Sequence, residues 1–164
     1  MVDKEKISVK LDEKKVKLQE KKEQAKINRE ERKLVLKEKH TEKKINAHIE
    51  KAIKKIYKAE EGAEKDIAKL LDTIDSEIDA DEKPIEIILF NGENKLEEII
   101  LTAQLNLVKA KNELIKNLEK DIENVAELVA LEEELSVVKD EAEEVSTLLD
   151  ERVEIEKETL ALKD

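Results

Sequence analysis

The chain has 164 residues and a formal net charge of -11, with 46% charged and 39% hydrophobic residues, one Tyr, one Phe, two Gly, one Pro and no Trp or Cys. Ordinary globular domains carry about 25% charged residues, so this composition excludes a thick mixed core and belongs instead to long helices. Two glycines cannot build a phosphate-cradling loop together with the turns of an α/β or β-rich domain, and without cysteine there are no disulfides or thiolate metal sites.

The opening MVDKEKISVK lacks the apolar stretch of a secretory signal. No unbroken apolar run exceeds four residues, so no membrane span is expected and the chain reads as intracellular and cytoplasmic. Residues 1–58 carry 20 Lys+Arg and 11 Asp+Glu, a net of +9, which leaves -20 for residues 59–164. Such asymmetry marks either a charged arm or two halves that meet.

Residues 1–79 read as one long basic amphipathic helix whose first 40 or so residues can fray. Its apolar positions are sparse at first (Ile7, Leu11, Leu18, Ala25, Ile27). From 45 onward they settle into steps of three and four, through Ile49, Ala52, Ile56, Ala59, Ala63, Ile67, Leu70 and Ile74. That spacing is a heptad seam. Pro84 disfavours helix at Lys83, and Asn91-Gly92 is a second breaker, so residues 80–94 read as an apolar turn segment. Its Ile85-Glu86-Ile87-Ile88-Leu89-Phe90 core is a buried short helix or irregular stretch, with one short strand as the alternative.

Asn94 with Glu97 forms a capping box that opens a second, acidic helix over 95–164. The seam repeats there through Ile99/Ile100, Ala103, Leu107, Ala110 and Leu114. It stutters near 118–125 and resumes at Val138 and Val145. At 1.5 Å per residue such a helix is about 100 Å long.

The expected fold is therefore all-α, a long antiparallel coiled-coil helical hairpin with an apolar connecting segment, in an oligomer. Folding at the loop pairs residues whose numbers sum to about 173. Ile74 then meets Ile99, Leu70 meets Ala103, Ala63 meets Ala110, Ala59 meets Leu114 and Ile49 meets Val125. Further out Leu36 meets Val138, Ile27 meets Val145, Ala25 meets Leu149, Leu18 meets Ile155 and Leu11 meets Leu162. Ile56 belongs to the same seam. Charge agrees, since residues 14–44 have a net of +7 and their partners 129–159 a net of -9. Apolar residues left outside the seam near the loop (Leu71, Ile85, Ile88, Phe90, Leu101, Leu105) form an expected oligomer or partner surface, because a two-helix seam alone is thin.

No catalytic, cofactor or metal residues are expected. His40 and His48 lack the helical metal-site spacings, the acidic clusters at 132–134 and 140–144 lack a calcium-loop pattern, and there is no nucleophile motif or pocket-forming core. The expected function is a non-enzymatic structural, scaffold or assembly role through protein–protein contacts. A second copy or another protein is the expected partner; a membrane or small molecule is not. Lys-rich, Arg-poor usage suits a prokaryotic or phage assembly component.

One alternative is a regulator that binds nucleic acid through residues 14–44, or mimics it. Interleaved acids and the lack of stacking aromatics weigh against binding. Another rests on the plan of helix, apolar Ile85–Phe90 middle and returning helix. It resembles the prefoldin subunit plan, which implies a chaperone-like arm. Prefoldins assemble through β-hairpins at that middle, where this chain has a single Asn-Gly.

Overall fold

The computed structural model describes residues 4–39, 43–121 and 132–163, with side chains for 4–32, 47–120 and 135–163. Four described helices follow in order: α1 Lys4–Lys39, α2 Lys43–Ala80, α3 Ile85–Asp121 and α4 Glu132–Ala161. There is no strand among the described residues, and none of their helices is long and apolar enough to cross a membrane.

The protein is all-α, and its helices pack as a bundle rather than as two rods of about 100 Å. One continuous helix would hold Lys22 and Glu64 about 63 Å apart at 1.5 Å per residue, whereas their side chains form an ion pair of 2.8 Å. The chain therefore reverses between α1 and α2. It reverses again before α4, because Lys157 reaches Glu97 of α3 at 2.8 Å and Gln104 of α3 donates to Asp150 at 2.9 Å. Arg152–Glu64 and Lys163–Asp75 show α4 running parallel to α2. The order is up-down-up-down. α2 and α3 form the most extensive pair, α4 packs against both, and α1 rides on α4.

The α2–α3 turn explains the local register. Asp81 ends α2 in the left-handed region at φ 52°, and its N–H donates to the Ile78 carbonyl at 3.2 Å. Asp tolerates this conformation better than most residues. The Pro84 carbonyl accepts from Ile87 and Ile88 at 3.1 and 3.2 Å, so α3 begins at once. The turn thus occupies four residues instead of the expected 80–94, and Ile85–Phe90 is the first stretch of a long helix. Asn94 lies inside α3 and caps nothing. Gly92 supplies no positive φ. Its missing side chain makes room instead, since a Cβ there would lie 2.6 Å from Ile74 Cδ1 and 3.6 Å from Leu160 Cδ1.

The short turn slides α3 along α2 by about one heptad. Ile74 faces Gly92, not Ile99. Ala63 lines a groove with Ala103, not Ala110; Ala59 shares one with Ala110, and Ala52 with Leu114. A heptad slip still sets apolar against apolar, so the seam pattern tolerates both registers and turn length decides between them. Val125, the expected partner of Ile49, and Leu36, the expected partner of Val138, lie outside the described side chains.

One apolar core joins α2, α3 and α4. Ile56, Ile67, Leu96, Leu118, Val145 and Leu160 are its most deeply buried residues. A separate, narrow cluster ties α1 to α4, made of Leu11, Leu18 and Ala25 against Leu148 and Ile155, with Leu162 half-buried beside them. Here the expected register near 173 is kept: the ion pairs Lys14–Glu158 and Lys21–Glu151 each sum to 172, which sets 11, 18 and 25 beside 162, 155 and 148. Ala25 takes Leu148 as partner instead of the neighbouring Leu149, which turns to the main core, and Ile27 is exposed instead of covering Val145.

Candidate interaction surface

Residues 11, 18 and 25 of α1 are seven apart, as are 148, 155 and 162 of α4. Continuing both series one heptad places Arg32 opposite Glu141. The fourth layer of the α1–α4 seam is thus an ion pair where the pattern would place two apolar residues. Glu141 is 2% exposed. It accepts from Arg29 Nε at 2.5 Å and from Arg32, while Arg29 also pairs with Glu60 of α2 and Arg32 with Glu144 at 2.9 Å. The Arg29 guanidinium lies 4.7 Å from the centroid of the Tyr57 ring, within cation–π range.

Charge balance in this cluster is tight. Burial pushes the Arg29 guanidinium down, but Glu60 and Glu141 more than reverse it and hold it above its ordinary value. Arg32 follows the same course, with Glu144 and Glu141 overcoming burial. Burial, reinforced by Glu141, pushes the Tyr57 hydroxyl up to about 12. The third arginine, Arg152, binds Glu64 at 2.5 Å and Glu156 at 2.9 Å, and Lys22 of α1 reaches the same Glu64. All three arginines of the chain therefore sit between helices, while the lysines supply the outer pairs Lys14–Glu158 and Lys21–Glu151, each at 2.7 Å. A forked guanidinium suits a half-buried site with two acceptors better than an ammonium does.

Opposite the core, α3 carries a second apolar pattern that no part of the described bundle covers. Ile87, Phe90, Leu101, Leu105, Val108 and Ile115 are 40–64% exposed. At 3.6 residues per turn they fall within about 80° of the helix circumference and extend for about 42 Å. Asn94 and Asn112 occupy the same line. The stripe points away from both neighbouring helices. α4 flanks one side of it through Glu97–Lys157 and Gln104–Asp150, and α2 flanks the other through Lys55–Glu113. The hydrogen bond from Lys55 holds the Glu113 carboxyl below its ordinary value, and that to Glu97 holds the Lys157 ammonium above its own.

Of the residues expected at a partner surface, Phe90, Leu101 and Leu105 lie on this stripe. Ile88 does not: it is 2% exposed and belongs to the core, because the helix begun at Pro84 turns it inward. Leu71 and Ile85 are half-buried against the same core. Ile87, Val108 and Ile115 were absent from that expected surface, although 87, 94, 101, 108 and 115 are spaced by sevens. Among the expected seam residues Ile49, Ile56, Ala63, Leu70, Ile74, Ala103, Ala110, Leu114, Val138 and Val145 are buried, and Ile99 is half-buried.

Open grooves run between the helices. One of about 260 Å³ lies between α2 and α3 beside Gly62, and one of about 550 Å³ between α1 and α4 is lined by charged and amide side chains such as Gln24, Asn28 and Asp140. Among the described residues no three of His, Asp and Glu converge as metal ligands. Comparison with protein-family models, with curated proteins and with solved structures finds no match to this chain.

Proposed function

We propose that this protein is a non-enzymatic assembly or scaffold component that works by holding another protein surface along α3. The observation that carries the proposal is the outward stripe from Ile87 to Ile115: a row of exposed apolar side chains on one helix face, broken only by amides and rimmed by charges, marks a contact surface more often than a stray residue does. In the same proposal α1 and α4 pair as an antiparallel coiled coil within the bundle, and the assembled form is an oligomer. The charged alternative is less favoured. Lys14, Lys21, Lys22, Arg29 and Arg32 of the basic segment are paired with acids of α2 and α4, which compete with any phosphate. The chaperone-arm alternative loses its central feature, since Ile85–Phe90 is helical.

The test is the double replacement Leu101→Asp and Leu105→Asp, followed by light scattering after size-exclusion chromatography at about 0.15 and about 0.5 M salt. Species heavier than 18.9 kDa are expected for the parent chain at both salts and only the single chain for the variant, with helix content and melting unchanged. A variant that melts well below the parent at unchanged mass overturns the proposal, because the stripe would then serve the fold.

A further inference from the structure

We infer that the occupant of the α3 stripe is the α3 stripe of a second copy, lying antiparallel and related by a twofold axis that passes near residue 103. The inference rests on the assembly role proposed above and names its partner.

Charge complementarity selects the partner and its direction. In the first half of α3 the rows next to the stripe carry Glu93 and Glu97 on the α4 side and Glu98 on the α2 side, with Lys95 farther round toward α2. The second half carries Lys111 on the α4 side and Lys109 on the α2 side, with Glu113 farther round and held by Lys55 of α2. In an antiparallel pair each flank meets the same flank of the other copy, as in antiparallel coiled coils generally. With facing numbers summing to about 206, Glu93 and Glu97 approach Lys111 of the second copy and Glu98 approaches Lys109. A parallel, in-register pair would instead set Glu97 against Glu98 and Lys111 against Lys109.

The centre of the apolar line fits the same register, while Val108 falls opposite Glu98 and Ile87 opposite Glu119. Leu101 faces Leu105 in two equivalent central layers. Asn94 faces Asn112 on either side, where amide pairs fix register at some cost in stability. A twofold interface must be self-complementary in this way. Six side chains at 40–64% exposure over about 42 Å amount to roughly 500–600 Å² per copy. A pair then hides at most about 1,000–1,200 Å², at the threshold for a biological interface and below the usual range of stable ones.

The chain has no cysteine, so single introduced thiols report position without ambiguity. Phe90→Cys and Ile115→Cys sit at opposite ends of the stripe and face each other in the antiparallel register. An equimolar mixture of the two variants, treated with a short bis-maleimide, is expected to yield a covalent two-chain product, with little from either variant alone. Separately, Glu98→Lys and Lys109→Glu should each weaken self-association at least about tenfold at low salt, and the double variant should recover most of it.

Efficient cross-linking of Phe90→Cys with itself overturns the antiparallel pair, as does a charge-reversed double variant no better than its parents. A parent chain that stays single at every concentration, while Leu101→Asp/Leu105→Asp keeps the parent melting temperature, overturns self-pairing and leaves the assembly role to a different partner. Loss of fold in that double variant overturns both.

Discussion

The α2–α3–α4 region and the α1–α4 seam hold helices together by different means. The first buries a continuous apolar body in which α2 and α3 contribute a residue at nearly every third or fourth position. Among the described residues the second has one apolar layer per heptad of α1, followed by the ion pair of Arg32 and Glu141 in the next layer. Apolar burial contributes about 25 cal/mol per Å² without regard to direction. A desolvated ion pair contributes little net stability, yet losing one partner costs several kcal/mol. The difference teaches that α2, α3 and α4 make the body of the fold, while α1 is placed by them with its register set electrostatically.

The sharpest way to break that comparison is Glu141→Ala, which leaves Arg29 and Arg32 facing one another without their shared acceptor. A loss of about 3–5 kcal/mol is expected in denaturant unfolding. The double replacement Arg32→Leu/Glu141→Leu restores an apolar layer but leaves Arg29 with Glu60 alone and Glu144 without Arg32, so it should recover only part of that loss. If it is as damaging as the single change, the layer is not the fourth member of the seam.

Next in size, Ile67→Ala in the main core should cost about 3 kcal/mol and lower protection from hydrogen exchange throughout α2, α3 and α4. Leu18→Ala should cost about 2 kcal/mol and speed exchange chiefly in α1. Equal loss of protection in all four helices from Leu18→Ala would show that α1 belongs to the same cooperative unit.

The two glycines offer a smaller and signed comparison. A Cβ at Gly62 meets nothing within 4 Å, so Gly62→Ala should stabilise by about 0.5–1 kcal/mol through helix propensity alone. Gly92→Ala gains the same propensity but drives into Ile74, which is buried, and a net loss of ~1 kcal/mol is expected from thermal melting.

The least costly probe is pH. Tyr57 is the one tyrosine of the chain, and its hydroxyl is pushed from 10 up to about 12 by burial and then by Glu141. The folded form therefore favours the neutral phenol. The stability this contributes is complete below pH 10 and declines as pH rises toward 12, where the folded hydroxyl also ionises. The tyrosinate ultraviolet band should appear with a midpoint near the ordinary value of about 10 in denaturant and later in the folded protein. Glu141→Gln should move the folded midpoint back toward the ordinary value.

Helical class, the seam positions of α2 and α3 and the antiparallel match of residues 11–25 with 148–162 were all legible in the sequence, because there apolar spacing and charge select the same answer. The α2–α3 register was not, since a heptad pattern repeats under a slip of seven. Only the four-residue turn from Asp81 to Pro84 distinguishes the alternatives. The reversals before α2 and before α4 were hidden as well. No Gly or Pro occurs within 36–50 or 115–135, so the usual punctuation is missing. What the sequence does carry is the thinness of α1: residues seven apart can line only one partner. The outer stripe was half visible. Phe90, Leu101 and Leu105 stood outside the first seam, but reading 80–94 as a turn put Ile88 on the wrong face, and Ile87, Val108 and Ile115 were passed over.

The pairing of Leu11 with Leu162 sets the first turns of α1 beside the last turn of α4, at the end of the bundle where α2 turns into α3. A polypeptide entering through α1 leaves through α4 within about one helix diameter of where it came in. The bundle is in this sense a cassette: it can be spliced into a surface loop of a host protein without prying the loop open.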